Sequence, residues 1–150
     1  MASSFSATAG GSRASGAVPS QGAIALAGRI LIAAIFVLSG LGKIAQPGAT
    51  LAYIGAAGLP LPPLALGGSA LVELGGGLAL ILGYRTRIAA AALAVFSIVT
   101  AMFFHSKFAD QNQMIHFMKN VAMAGGLLQV IAFGGGSFSL DSRKRRGSPQ

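Results

Sequence analysis

The sequence predicts an all-α protein built as an integral-membrane four-helix transmembrane bundle. Three observations carry that prediction. Hydrophobic residues make up 53% of the 150-residue chain and charged residues only 9%. A soluble domain carries about 25% charged residues, so this chain has too few to cover a water-facing surface. The apolar residues gather into four long blocks rather than periodic stripes, and about 20 residues take a helix across the hydrocarbon core. Most of the basic residues, which set a net charge of +8, stand between or beyond those blocks. That distribution orients membrane proteins. It names the lipid bilayer, and not nucleic acid, as the partner of so basic a chain.

The elements follow in order. Residues 1–21, opening with MASSFSATAGGSRASGAVPS, are small, polar and unpatterned. They read as a disordered N-terminal tail. A cleaved signal peptide fits less well, because the basic n-region is weak, the apolar run is long and no A-x-A site follows. Residues 22–136 form the membrane domain. Its first span covers about residues 23–41 and holds Arg29, with Lys43 just beyond. Pro47 can open a short interfacial helix and Gly58 can close it. The second span covers about residues 64–82, with Glu73 near its middle and Arg85 and Arg87 after it. The third covers about residues 88–104 and has no interior charge. The fourth covers about residues 117–133 and carries Lys119 and Asn120 near its start. Residues 137–150 form a basic tail containing SRKRR, a topology anchor that is also suited to anionic lipid. Four spans put both termini on one side. That side holds Arg13, Arg85, Arg87, Arg143, Lys144, Arg145 and Arg146, against Lys43 and Lys107 on the other, so both termini are expected to be cytoplasmic.

The polar groups inside the spans are the candidate functional residues. Glu73 lies about 15 Å from the nearer interface, too deep for its side chain to reach water. A charge there costs about 2.5–3.5 kcal/mol on insertion scales, so it must be paired, protonated or hydrated. A structural ion pair and a proton or ligand contact both fit. Arg29 and Lys119 are the candidate partners, unless each snorkels to its own interface. Lys43 comes from the same side as Lys119. Asn120 is too short to snorkel and should hydrogen-bond across the bundle. His105 and His116 are weak metal or haem candidates, since no carboxylate or thiolate set accompanies them, and no metal site is expected. No Ser-His-Asp set, P-loop or dinucleotide fingerprint appears. Small residues spaced by four, Ala65/Ser69, Ala90/Ala94 and Ala122/Gly126, suit close helix packing. The chain has no cysteine, which excludes thiolate metal sites and thiol exchange by the chain itself.

Three stretches resemble the DoxX family. GRILIAAIFVLSGLGKIAQP resembles its first helix, with Arg29, Phe36, Gly40 and Lys43. VELGGGLALILGYRTRIAA resembles its second, with Glu73, the glycines and the closing arginines. FMKNVAMAGGLLQVIAFGGGSFSLD resembles its last, with Lys119, Asn120, Gly125 and Gly126 and a terminal S-L-D. The resemblance covers about residues 22–141. It implies a small bacterial inner-membrane protein of four helices. It also implies kinship with the membrane subunit of a thiosulfate:quinone oxidoreductase and with proteins of oxidative-stress and sulfur or thiol redox. Arg29, Lys43, Glu73, Lys119 and Asn120 are the positions that match the family pattern.

Two functions are therefore expected to compete. In one, the chain is a membrane subunit of a redox complex, with an oxidoreductase partner. A quinone or small anion would bind in the bundle, with Glu73 handling protons and Arg29, Lys43, Lys119 and Asn120 contacting the ligand. In the other, the chain is a non-catalytic scaffold that anchors a soluble partner, and its buried charges only fix packing. Permeation of a small molecule would need a homo-oligomer.

Overall fold

The computed structural model describes residues 20–146. Residues 1–19, most of the tail expected to be disordered, lie outside the described residues. The order is α1 (Gln21–Ala45), α2 (Pro47–Ala56), α3 (Pro62–Leu82), α4 (Thr86–Phe104), α5 (Gln111–Phe133) and α6 (Leu140–Arg146). Four of these, α1, α3, α4 and α5, are long and apolar enough to cross a membrane. The all-α four-span bundle expected from the sequence is the fold.

The helix ends follow local chemistry. The Ser20 hydroxyl accepts from the Ala23 N–H and starts α1. Pro47 stands at the first position of α2, where its missing N–H is no loss. Pro62 and Pro63 open α3 in the same way. Asp110 caps α5 by accepting from the Asn112 N–H at 2.8 Å. This cap starts α5 at Gln111, ahead of the apolar run, so the fourth span begins about six residues before the boundary expected from hydropathy.

α1 packs along α3, α3 along α4 and α4 along α5, while α1 and α5 barely touch. The core lies where these seams meet and includes Ala33, Phe36, Leu80, Ala90, Leu93 and Leu127. Small residues set the spacing. A Cβ added to Gly77 would lie 2.8 Å from Val37 Cγ2 and 3.4 Å from the Ala33 carbonyl oxygen, so α1 sits close against α3 only because Gly77 has no side chain. Ala90 and Ala94 are both buried in the core, while Ala122 is exposed. Large apolar side chains point outward, among them Leu31, Leu71 and Val95. Such a surface suits lipid and not water.

One end of the bundle is tied by Arg29 of α1 and by the segment that leads into α6. Gly83 ends α3 at φ 67° in the left-handed region, and the Tyr84 N–H returns to the Ala79 carbonyl at 2.9 Å, a Schellman-type close. The guanidinium of Arg29, 1% exposed, donates to the Leu80 carbonyl at 2.6 Å and the Ile81 carbonyl at 3.3 Å. It thus satisfies the last carbonyls of α3 with a cation at the negative end of that helix. It also donates to the Phe138 carbonyl at 2.8 Å. Asp141 does the complementary work for α4. Its carboxylate accepts from the Arg85 N–H at 2.9 Å, the Thr86 N–H at 2.8 Å and the Thr86 hydroxyl at 2.7 Å. The folded unit therefore runs on past Gly136 into the basic stretch.

Candidate functional site

The other end of the bundle holds a cavity of about 830 Å³ bounded by all four spans and α2. Its walls are apolar and aromatic, with Phe36, Val72, Phe96 and Met123 among them. Tyr53 of α2 stacks on Phe104 of α4, with ring centroids 5.2 Å apart, and helps to roof it.

A small polar network lies in this cavity. Glu73 is 4% exposed. Lys43 Nζ donates to Glu73 Oε2 at 2.5 Å and to the Ser39 hydroxyl at 3.0 Å, while Ser39 donates to Glu73 Oε1 at 3.0 Å. The three side chains close a triangle in which both carboxylate oxygens have a donor.

This corrects the pairing expected from the sequence. Glu73 pairs with Lys43, not with Arg29 or Lys119. One rule of helix geometry accounts for all three. In an α-helix the Cα–Cβ bond tilts toward the N-terminus. Lys43 is near the end of α1, so its side chain leans back into the bundle, one turn toward Ser39. Glu73 leans toward the start of α3, which is antiparallel, and so toward Lys43. Lys119 is early in α5 and leans outward, where its Nζ lies 3.2 Å from His116 Nδ1. Arg29 is early in α1 and leans to the opposite end, where it closes α3. Glu73 and Leu80 are seven residues apart, about 10 Å along the helix, so Arg29 is remote from the cavity. Ser39 was not singled out by sequence reasoning. Its signal was the four-residue spacing to Lys43, which puts both on one helix face.

Asn120, 8% exposed, also departs from expectation. Its Nδ2 donates at 2.9 Å to the His116 carbonyl of its own helix, not across the bundle, although Asn120 and Lys119 both line the cavity. At the mouth, His105 and His116 stack with centroids 5.0 Å apart, and His105 Nδ1 lies 2.9 Å from Gln113 Oε1. Among the described residues no three His, Cys, Asp or Glu side chains are grouped to hold a metal ion. The site can therefore present an ammonium, a carboxylate, a hydroxyl and aromatic faces to one ligand. Of the five sequence-predicted residues it unites Lys43, Glu73, Lys119 and Asn120 and leaves out Arg29.

Comparison with known proteins agrees with this architecture. No solved structure matches the chain significantly. The chain is 40% identical over 118 residues to the inner membrane protein YqjF of Escherichia coli (strain K12), covering 77% of this chain and 88% of that one. It is 32% identical over 123 residues to the inner membrane protein YphA of the same organism, covering 79% and 88%. The SURF4 family model matches residues 70–146. The DoxX model matches residues 24–106, the stretch that contains Ser39, Lys43 and Glu73, and with the four-span fold and these relatives the chain belongs to the DoxX family.

Proposed function

We propose that this multi-pass membrane protein is the membrane subunit of a quinone-linked redox complex, and that its cavity holds the quinone head group. The inner membrane is its site, as it is for both relatives by name. The observation that carries the reading is the Lys43–Glu73–Ser39 triangle lying within an apolar, aromatic-walled cavity of about 830 Å³. A quinone ring is flat and apolar with oxygens at its edge. Phe and Tyr faces suit the ring, and the Lys43 ammonium suits an oxygen that gains negative charge on reduction.

A quinone supplies two-electron redox chemistry when bound, taking up two electrons and two protons. The electrons come from an oxidoreductase partner, since the chain has no thiols of its own. In this reading Glu73 passes a proton and Lys43 holds the oxygen. Lys119, with its side chain leaning outward to His116, offers protons a way to the mouth. Both termini are cytoplasmic in this reading, so the cavity opens outward.

Native mass spectrometry of the protein extracted gently from its own membranes tests the proposal. Wild type should carry a quinone mass, and Glu73→Gln should lose it at unchanged abundance. The internal pairing of Glu73 favours one rival, a scaffold whose buried charges only fix helix register. Wild type carrying lipids alone, with Glu73→Gln altering abundance, would replace the quinone reading with that one.

A further inference from the structure

A second cleft, of about 550 Å³, lies at the opposite end, between the α3–α4 turn and the segment joining α5 to α6. We propose that it binds the phosphate head group of an anionic phospholipid; this is independent of the quinone reading. Three cations line it, Arg85, Arg87 and Lys144, with one acid, Asp141. Against three cations that acid still leaves an excess of two positive charges. Both its oxygens already accept from Arg85 and Thr86, so it serves the start of α4.

The two arginines are differently placed. A guanidinium has five N–H donors. Among the described residues, Arg87 uses one, to the Ala132 carbonyl at 3.3 Å, and the Arg85 side chain has no hydrogen-bond partner. Two planar forks thus face one cleft with donors to offer, the geometry that suits a phosphate. Lys144 stands over the Tyr84 ring, 5.0 Å from its centroid.

The apolar residues of the same cleft decide the source of that phosphate. Ile88, in the first turn of α4, is 63% exposed, and Phe133, the last residue of α5, is 80% exposed. Both belong to the spans themselves, at the start of α4 and the end of α5. A soluble phosphate would leave both against water, whereas a lipid lays its acyl chains over them while its phosphate meets the arginines. The cleft also sits where the spans end, the level of lipid head groups.

The test uses the full chain in nanodiscs of phosphatidylcholine mixed with phosphatidylglycerol, with retained lipids read by native mass spectrometry. Wild type should retain phosphatidylglycerol above its share of the mixture. Arg85→Gln and Arg87→Gln should each lower that preference about five-fold, and Lys107→Gln, at the other end, should not. Melting in pure phosphatidylcholine shows whether each variant folds, and the two single variants serve as checks on each other. Equal retention of the two lipids by wild type would overturn the proposal. So would an equal loss in Lys107→Gln, or millimolar inorganic phosphate that stabilises wild type in phosphatidylcholine as well as phosphatidylglycerol does.

Discussion

Lys43 and Lys119 carry the same charge at the same end of the bundle, yet only Lys43 meets Glu73. Composition and hydropathy made Glu73 visible as a buried acid, but not its partner, because neither measure contains the direction of a side chain. The tilt of Cβ toward the helix N-terminus does contain it, once the spans are taken as antiparallel. The energetics follow. Lys43→Met leaves a carboxylate 4% exposed without its cation, and removing one partner of a buried pair is the costly change. With Lys43 itself part-exposed, a loss of about 1–3 kcal/mol is expected in denaturant or thermal unfolding. Lys119→Met should cost less than about 0.5 kcal/mol. Replacing both members with Lys43→Met and Glu73→Leu should recover most of the stability. It should not recover a bound quinone, and that split separates a packing role from a ligand role. A double variant that kept the ligand would remove the pair from the site.

At the scale of elements, the four spans were legible because the bilayer fixes their length and their apolar content. The α6 segment was not, since a run of Arg and Lys reads as a solvated tail. Asp141 was the signal: one acid in a basic stretch, placed to cap a helix 55 residues earlier in the chain. Burial pushes the Asp141 carboxyl up. Hydrogen bonds from the Thr86 side chain and from the Thr86 and Arg85 N–H groups, with the Lys144 charge, outweigh that and hold it below its ordinary value. A lowered folded pKa means its contribution is full above the unfolded value of about 3.9 and is lost as pH falls through the folded value. Asp141→Asn presents an NH₂ where the carboxylate accepted, and should lower stability by about 1–2 kcal/mol at neutral pH. Below pH about 4 the gap between wild type and variant should narrow, as melts across pH in a neutral detergent would reveal. The seam between α1 and α3 gives a second test. Gly77→Ala drives a methyl into Val37 and should cost about 1–3 kcal/mol. Gly75→Ala meets nothing within 4 Å and should be neutral or slightly stabilising. Equal effects at the two glycines would mean that the seam is not set by Gly77.

At the scale of the whole molecule, the two ends are chemically opposite. One is tied by Arg29 and Asp141 around a short turn and faced with arginines. The other is open, holds the cavity and carries the polar α4–α5 loop. In the orientation we propose from the charge count, the basic end faces the cytoplasm, and a ligand then reaches Glu73 from the outer side or laterally from the outer leaflet. The absence of native cysteines makes this directly measurable, because any thiol in the chain is then an introduced one. Ser106→Cys, in the α4–α5 loop, should react with a membrane-impermeant maleimide applied to intact spheroplasts. Ser148→Cys, in the basic tail, should react only after lysis. The reverse pattern would place the cavity mouth in the cytoplasm, where soluble reductants and a cytoplasmic partner have access to it. It would also put the arginine cleft in the outer leaflet. The quinone reading would survive that inversion with its proton path reversed, because Glu73 is reached from the mouth in either orientation.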